Sequence, residues 1–152
     1  MIADARTILL AEDNANDAEL TLQALRGNHL VNEIVTLRDG AETLDYLHRR
    51  NAHAGRPSGN PTVILLDLKM PKLDGLEVLR QIKTDPSLRT IPVVMLTSSR
   101  EEEDLVRSYD LGVNAYVVKP VEFREFVLAV KTLGVFWALT NEPPPARDAS
   151  TE

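Results

Sequence analysis

Apolar residues fall along this chain in short unbroken runs, each followed by a polar stretch and then by apolar residues at wider spacing. The first run, Thr7-Ile8-Leu9-Leu10-Ala11, ends on Glu12 and Asp13. An unbroken run of that length suits a strand buried on both faces. Behind it Asn16 and Glu19 resemble a capping box, and Ala18, Leu22 and Leu25 repeat at helical spacing up to Gly27, which predicts a helix.

The same pair of patterns returns four more times. Glu33 to Leu37 reads as a strand, Asp39-Gly40 as a turn, and Ala41, Leu44 and Leu47 as one face of a helix. Val63-Ile64-Leu65-Leu66 follows Pro61 and ends on Asp67; Leu76, Leu79 and Ile82 mark a helix after Gly75, closed by Pro86. Pro92 to Leu96 is a strand ending on Thr97, and Glu101 to Leu111 a helix stopped by Gly112. Ala115 to Val118 is the last strand, ending on Lys119-Pro120, and Phe123, Phe126, Val127 and Val130 share one face of the last helix. Strands that are apolar throughout and alternate with helices predict an α/β fold, a parallel sheet covered on both faces.

In open sheets of this kind ligands bind outside the carboxyl ends of the strands. Those ends carry Glu12 and Asp13, then Asp67, then Thr97 and Ser98, then Lys119. Three carboxylates crowded together repel one another unless a cation compensates. An all-oxygen donor set favours Mg²⁺ or Mn²⁺, and Mg²⁺ is the expected ion because it keeps several waters and needs few protein ligands. Such an ion would let the Asp67 carboxylate attack a phosphoryl group and form an aspartyl phosphate. Lys119 would hold a phosphate oxygen as a point charge, and Thr97 would donate its hydroxyl to another. Each residue alone could simply cap a strand or helix; their meeting at one sheet edge is what favours the chemistry.

With those residues in view, Glu12-Asp13, Asp67-Leu68-Lys69-Met70-Pro71 with Asp74-Gly75, Leu96-Thr97-Ser98 and Lys119-Pro120 resemble the receiver domain of two-component response regulators. The resemblance covers residues 7–133 and implies a five-stranded, doubly wound, flavodoxin-like (CheY-like) fold, phosphorylated on Asp67 by a histidine kinase. It implies Mg²⁺ held by Asp13, Asp67 and the backbone carbonyl of Lys69, with Glu12 acting through water, since Glu12 stands where many members have Asp. It also implies that Thr97 moves toward the phosphate and that Tyr116 turns inward behind it. The signal would then reach the surface of the helix over Glu101 to Leu111, the last strand and the last helix. Without the resemblance, Tyr116 reads as ordinary strand packing.

Composition narrows the partners. At 152 residues, 43% hydrophobic and 26% charged, the chain is expected to form one water-soluble domain. A net charge of −6 opposes nucleic acid and anionic membranes, so neither is an expected partner. The chain has no cysteine, which excludes thiol chemistry, and no apolar leader or membrane-length window. A cytoplasmic location is expected.

Too few residues follow Leu133 to build an output domain, so output is expected through binding and not through enzyme activity. The loop from His48 to Pro61 carries three arginines and two histidines; exposed charge of this kind is usually just solvated. That loop and the ending Phe136-Trp137 with Asn141, Pro143, Pro144 and Pro145 resemble the regulators of bacteriophytochromes and cyanobacterial phytochromes. This implies a phytochrome-type histidine kinase as phosphodonor. Adjacent aromatic rings are costly to expose: they either pack on their own domain or, the preferred reading, residues 134–145 form an arm that builds a homodimer. Residues 146–152 are expected to be a disordered tail.

Rivals remain. A phosphatase with an aspartyl nucleophile (HAD-like) would resemble Asp-x-Asp, but Lys69 stands two after Asp67. A nucleotide-binding domain would need a Gly-x-Gly or Gly-Lys that the chain lacks. A receiver-fold binding module that is never phosphorylated would not need the acceptor, acids, hydroxyl and lysine together.

Overall fold

The computed structural model describes residues 7–28, 30–57, 59–98, 115–136 and 139. Five strands, β1 (Ile8–Ala11), β2 (Ile34–Leu37), β3 (Val63–Asp67), β4 (Val93–Thr97) and β5 (Tyr116–Val118), form one parallel sheet in the order β2-β1-β3-β4-β5. Helices α1 (Ala15–Arg26), α2 (Gly40–His48), α3 (Gly75–Thr84) and α4 (Phe123–Thr132) cover it. The expected α/β, doubly wound fold is what the chain adopts. The helix expected over Glu101 to Leu111 lies outside the described residues.

Strand side chains alternate between faces, and here both faces are buried. Ile8 and Leu10 of β1, with Val63 and Leu65 of β3, join a core that includes Ala18 and Leu25 of α1 and Phe126 and Val130 of α4. Leu9, Ala11, Ile64 and Leu66 point the other way, into a core with Leu44 and Leu47 of α2 and Leu79 and Ile82 of α3. This is why the strands read as unbroken apolar runs and not as alternating ones.

Two local readings change. Asn14, not Asn16, caps α1: it is extended (φ −87°, ψ 114°), and its side chain accepts from the Asp17 N–H at 2.8 Å. A cap must lie outside helical dihedrals, and Asn16 is already inside the first turn. Asp39-Gly40 is a helix start and not a turn, because the Asp39 carboxylate accepts from the Glu42 N–H at 2.7 Å.

The basic loop is also more structured than a solvated charge run. It contains a 3-10 turn, Asn51–His53. Arg56 stacks on the Tyr46 ring, 4.2 Å from its centroid, and donates to the carbonyls of Tyr46, Pro57 and Gly59 at 2.7, 2.9 and 2.9 Å. His53 Nε2 lies 3.1 Å from a Glu42 oxygen and His48 Nε2 lies 3.6 Å from Asp85. The planar guanidinium reaches several carbonyls and a ring face at once, so Arg56 knits the loop to the end of α2.

Candidate functional site

The order of strands reverses between β1 and β3, and the chemistry-bearing residues gather at the carboxyl end of that junction. Glu12 and Asp13 follow β1, Asp67 ends β3, Thr97 ends β4 and Lys119 follows β5. The parallel register sets Asp67 opposite Leu96 and Thr97 opposite Val118. The Lys119 N–H donates to the Thr97 carbonyl at 2.7 Å, and the Lys119–Pro120 peptide is cis.

Gly75 brings α3 against the end of β3. Its N–H donates to the Leu68 carbonyl at 2.7 Å, and a Cβ there would stand 2.2 Å from the Asp67 carbonyl oxygen. Only a glycine permits that approach. Asp74 caps the same helix, its side chain accepting from the Glu77 N–H at 3.0 Å.

Glu12, Asp67 and Thr97 are buried, whereas Asp13 is exposed. One carboxylate oxygen from each of Glu12, Asp13 and Asp67 lies within 4.8 Å of the others. The Lys119 ammonium donates to Glu12 at 3.2 Å and to Asp17 at 3.1 Å, and lies 3.2 Å from Asp67. Asp17 is absent from the sequence reading. An acid one helical turn after Asp13 was the available signal, but nothing local ties it to Lys119.

Burial and the neighbouring Asp67 charge push the Glu12 carboxyl up to about 7, against the opposing pull of Lys119 and the Asn14 N–H. Burial also raises Asp67, with Lys119 and a hydrogen bond from Glu12 pulling the other way. Burial works against the Lys119 charge, but Asp67 and Glu12, with the bond to Asp17, outweigh it and hold the ammonium above its ordinary value. Carboxylates that resist ionisation beside one another are an incomplete electrostatic arrangement, one that a divalent cation would complete. The hard-oxygen donor set fits such an ion.

Among the described residues, Thr97 Oγ1 has no hydrogen-bond partner although it is buried. A buried hydroxyl left in that state costs free energy, so it asks for an explanation. Ser98 and the Lys69 side chain are exposed beside the site. Tyr116, half-buried and in register with Met95, packs against the core shared with α2 and α3.

Farther along the chain, Val135 and Leu139 pack on the core beside α4, while Phe136 is half exposed with the Lys131 ammonium 5.0 Å from its ring centroid. Trp137, Asn141, Pro143, Pro144 and Pro145, with the tail, lie outside the described residues. No helix among those described is long and apolar enough to cross a membrane.

The family model of the response regulator receiver domain matches residues 8–131. The chain is 64% identical to the bacteriophytochrome response regulator AtBRR, with a TM-score of 0.86 over 90% of this chain and 98% of that one. It is 60% identical to the bacteriophytochrome response regulator RtBRR, with a TM-score of 0.85 over 95% of this chain and 86% of that one. It is 38% identical to the response regulator Rcp1 of Synechocystis sp. over 93% of this chain and 95% of that protein. The Mn²⁺-bound structure of Rcp1 superposes with a TM-score of 0.68 over 91% of this chain and 98% of that one. Fold, clustered site and matched residues agree: the chain belongs to the response regulator receiver family, with phytochrome response regulators among its close homologues.

Proposed function

We propose that Asp67 is the phosphoacceptor of this response regulator, and that its donor is a phosphohistidine on a bacteriophytochrome-type kinase. The observation that carries the assignment is the buried, unpartnered Thr97 hydroxyl at the same sheet edge as Asp67 and Lys119. A phosphoryl oxygen is the acceptor that hydroxyl lacks. The kinase type follows from the resemblance to AtBRR and RtBRR, both named as bacteriophytochrome response regulators.

In the transfer an Asp67 carboxylate oxygen attacks phosphorus in line. The new O–P bond forms as the P–N bond breaks, and the electron pair returns to the imidazole nitrogen. Water later attacks phosphorus, releasing inorganic phosphate and restoring the carboxylate. Lys119 and Thr97 hold phosphoryl oxygens. Asp13, Asp67 and the Lys69 carbonyl would hold Mg²⁺, with Glu12 joined through water; when bound, the ion neutralises charge between Asp67 and the phosphoryl group. Mn²⁺, which Rcp1 binds, is an alternative in the same place.

Phosphate binds better to the arrangement in which Thr97 and Tyr116 have moved, so it shifts a population and does not drive turnover of another substrate. The protein is a cytoplasmic switch and not an enzyme. Its net charge of −6 argues against nucleic acid and membrane as partners. The half-exposed Phe136 supports an arm that pairs two copies.

Incubation with Mg²⁺ and acetyl phosphate, followed by intact mass, tests the acceptor. Wild type gains one phosphoryl group and Asp67→Asn gains none; a wild type that gains nothing overturns the reading. For the arm, light scattering of a Phe136→Ser, Trp137→Ser double variant is expected to show a monomer, against a dimer for wild type.

A further inference from the structure

Three carboxylates surround the Lys119 ammonium, and one of them stands outside the acidic cluster that suits a metal. That one is Asp17, whose Oδ2 lies 3.1 Å from Nζ, against 3.2 Å for both Glu12 and Asp67. Asp17 is fixed by its place on the first turn of α1, where its N–H is capped by Asn14 at 2.8 Å. An acid near a helix N-terminus is favourably placed against the helix dipole.

An ammonium has three N–H donors, and in this arrangement three acceptors face them. The donor aimed at Asp67 can pass to a phosphoryl oxygen on that same residue, but a second donor reaches the phosphoryl group only when Glu12 or Asp17 gives way. The three differ in what release costs. The side chains of Glu12 and Asp67 are 0% and 6% exposed, whereas that of Asp17 is 37% exposed. A released Asp17 carboxylate meets water at once, in a cleft of about 290 Å³ lined by Asp17, Leu20, Thr21, Lys119 and Pro120. Glu12 and Asp67 stay buried if they release the ammonium and need another cation in its place, whereas Asp17 needs only water.

Resting on the reading of Asp67 as phosphoacceptor, we propose that Asp17 is a positioning residue, a latch that occupies one donor of Lys119 in the resting protein and competes with the phosphoryl group for it. The latch works through Lys119 and touches no reacting atom. It biases the resting state against the phosphorylated one, and its loss shifts that balance.

The test compares wild type with Asp17→Asn, Asp17→Ala, Asp17→Glu and Glu19→Gln. The last removes the same charge from the same helix, from a carboxylate that bonds Gln23 and not Lys119. Each protein is loaded by acetyl phosphate with saturating Mg²⁺ and followed by intact mass; the donor is then removed and the decay recorded. Binding of beryllium trifluoride, a phosphoryl mimic, is titrated in parallel as a readout free of turnover.

An exposed or partly exposed ion pair of this kind corresponds to about a two- to fivefold effect. Asp17→Asn and Asp17→Ala are therefore expected to bind the mimic about two- to fivefold more tightly and to hold the phosphoryl group longer by a similar factor. Asp17→Glu returns both values toward wild type, and Glu19→Gln stays near it. Should one variant fail to give a cooperative thermal melt, the other and the Asp17→Glu rescue still decide.

Asp17 variants that match Glu19→Gln, or that bind the mimic more weakly, overturn the latch. If wild type is not phosphorylated on Asp67, the underlying reading fails instead. A phosphorylated wild type with unresponsive Asp17 variants overturns the latch alone.

Discussion

Two partly buried cations, at opposite ends of the sheet, are held by opposite means. Arg56, near the amino ends of the strands, is surrounded by the backbone carbonyls of Tyr46, Pro57 and Gly59 and the Tyr46 ring. Burial pushes its pKa below the ordinary value. Lys119, at the carboxyl ends, faces Glu12, Asp17 and Asp67 and is held above its ordinary value. Carbonyls cannot leave without moving the chain, so Arg56 is part of the framework. Carboxylates on side chains can release a cation by turning a side chain alone, so the partners of Lys119 are free to change where those of Arg56 are not. One sheet thus uses the same kind of charge as a rivet at one end and as a movable contact at the other.

Gly75→Ala is the most severe way to disturb the working end. The added Cβ would meet the Asp67 carbonyl oxygen at 2.2 Å, so strand and helix must part. A loss of about 3 kcal/mol in urea unfolding is expected, with slower phosphorylation. Arg56→Ala leaves carbonyls without a donor and strips the ring of its cation, at a cost of about 2 kcal/mol. Phosphorylation on Asp67 should keep its wild-type rate in that variant. A matching fall in rate would break the division between rivet and contact.

The smallest effect concerns pH. Glu12 keeps its proton up to about 7, above the ordinary 4.5. The metal-free folded protein therefore binds more protons than the unfolded chain between those values, and this group makes it less stable as pH rises through that window. A cation that binds the ionised cluster offsets the loss. The rise in melting midpoint on adding Mg²⁺ should accordingly be greater at pH 8 than at pH 6. Equal rises would show that Glu12 is charged throughout.

Much of this was legible in one dimension because the signals are local. Unbroken apolar runs such as Val63 to Leu66, short and alternating with helical spacing, suit strands covered on both faces, and that implies a parallel sheet with helices on each side. Acids, hydroxyls and a lysine placed at the ends of those runs must then share an edge. The cap of α1 is not legible in this way: Asn14 and Asn16 are chemically identical, and only the backbone dihedrals tell them apart.

The chain's periodicity and its strand-end residues thus determined the sheet, its two covered faces and the edge where Asp67 lies. The tertiary structure alone decided which groups touch there. Asp17 meets Lys119 across a separation of 102 residues, Arg56 finds the ring of Tyr46, and Thr97 is buried without a partner. The physical reason is range: periodicity reports which face a residue takes, whereas contact depends on strand order, register and burial, which no short stretch of sequence encodes.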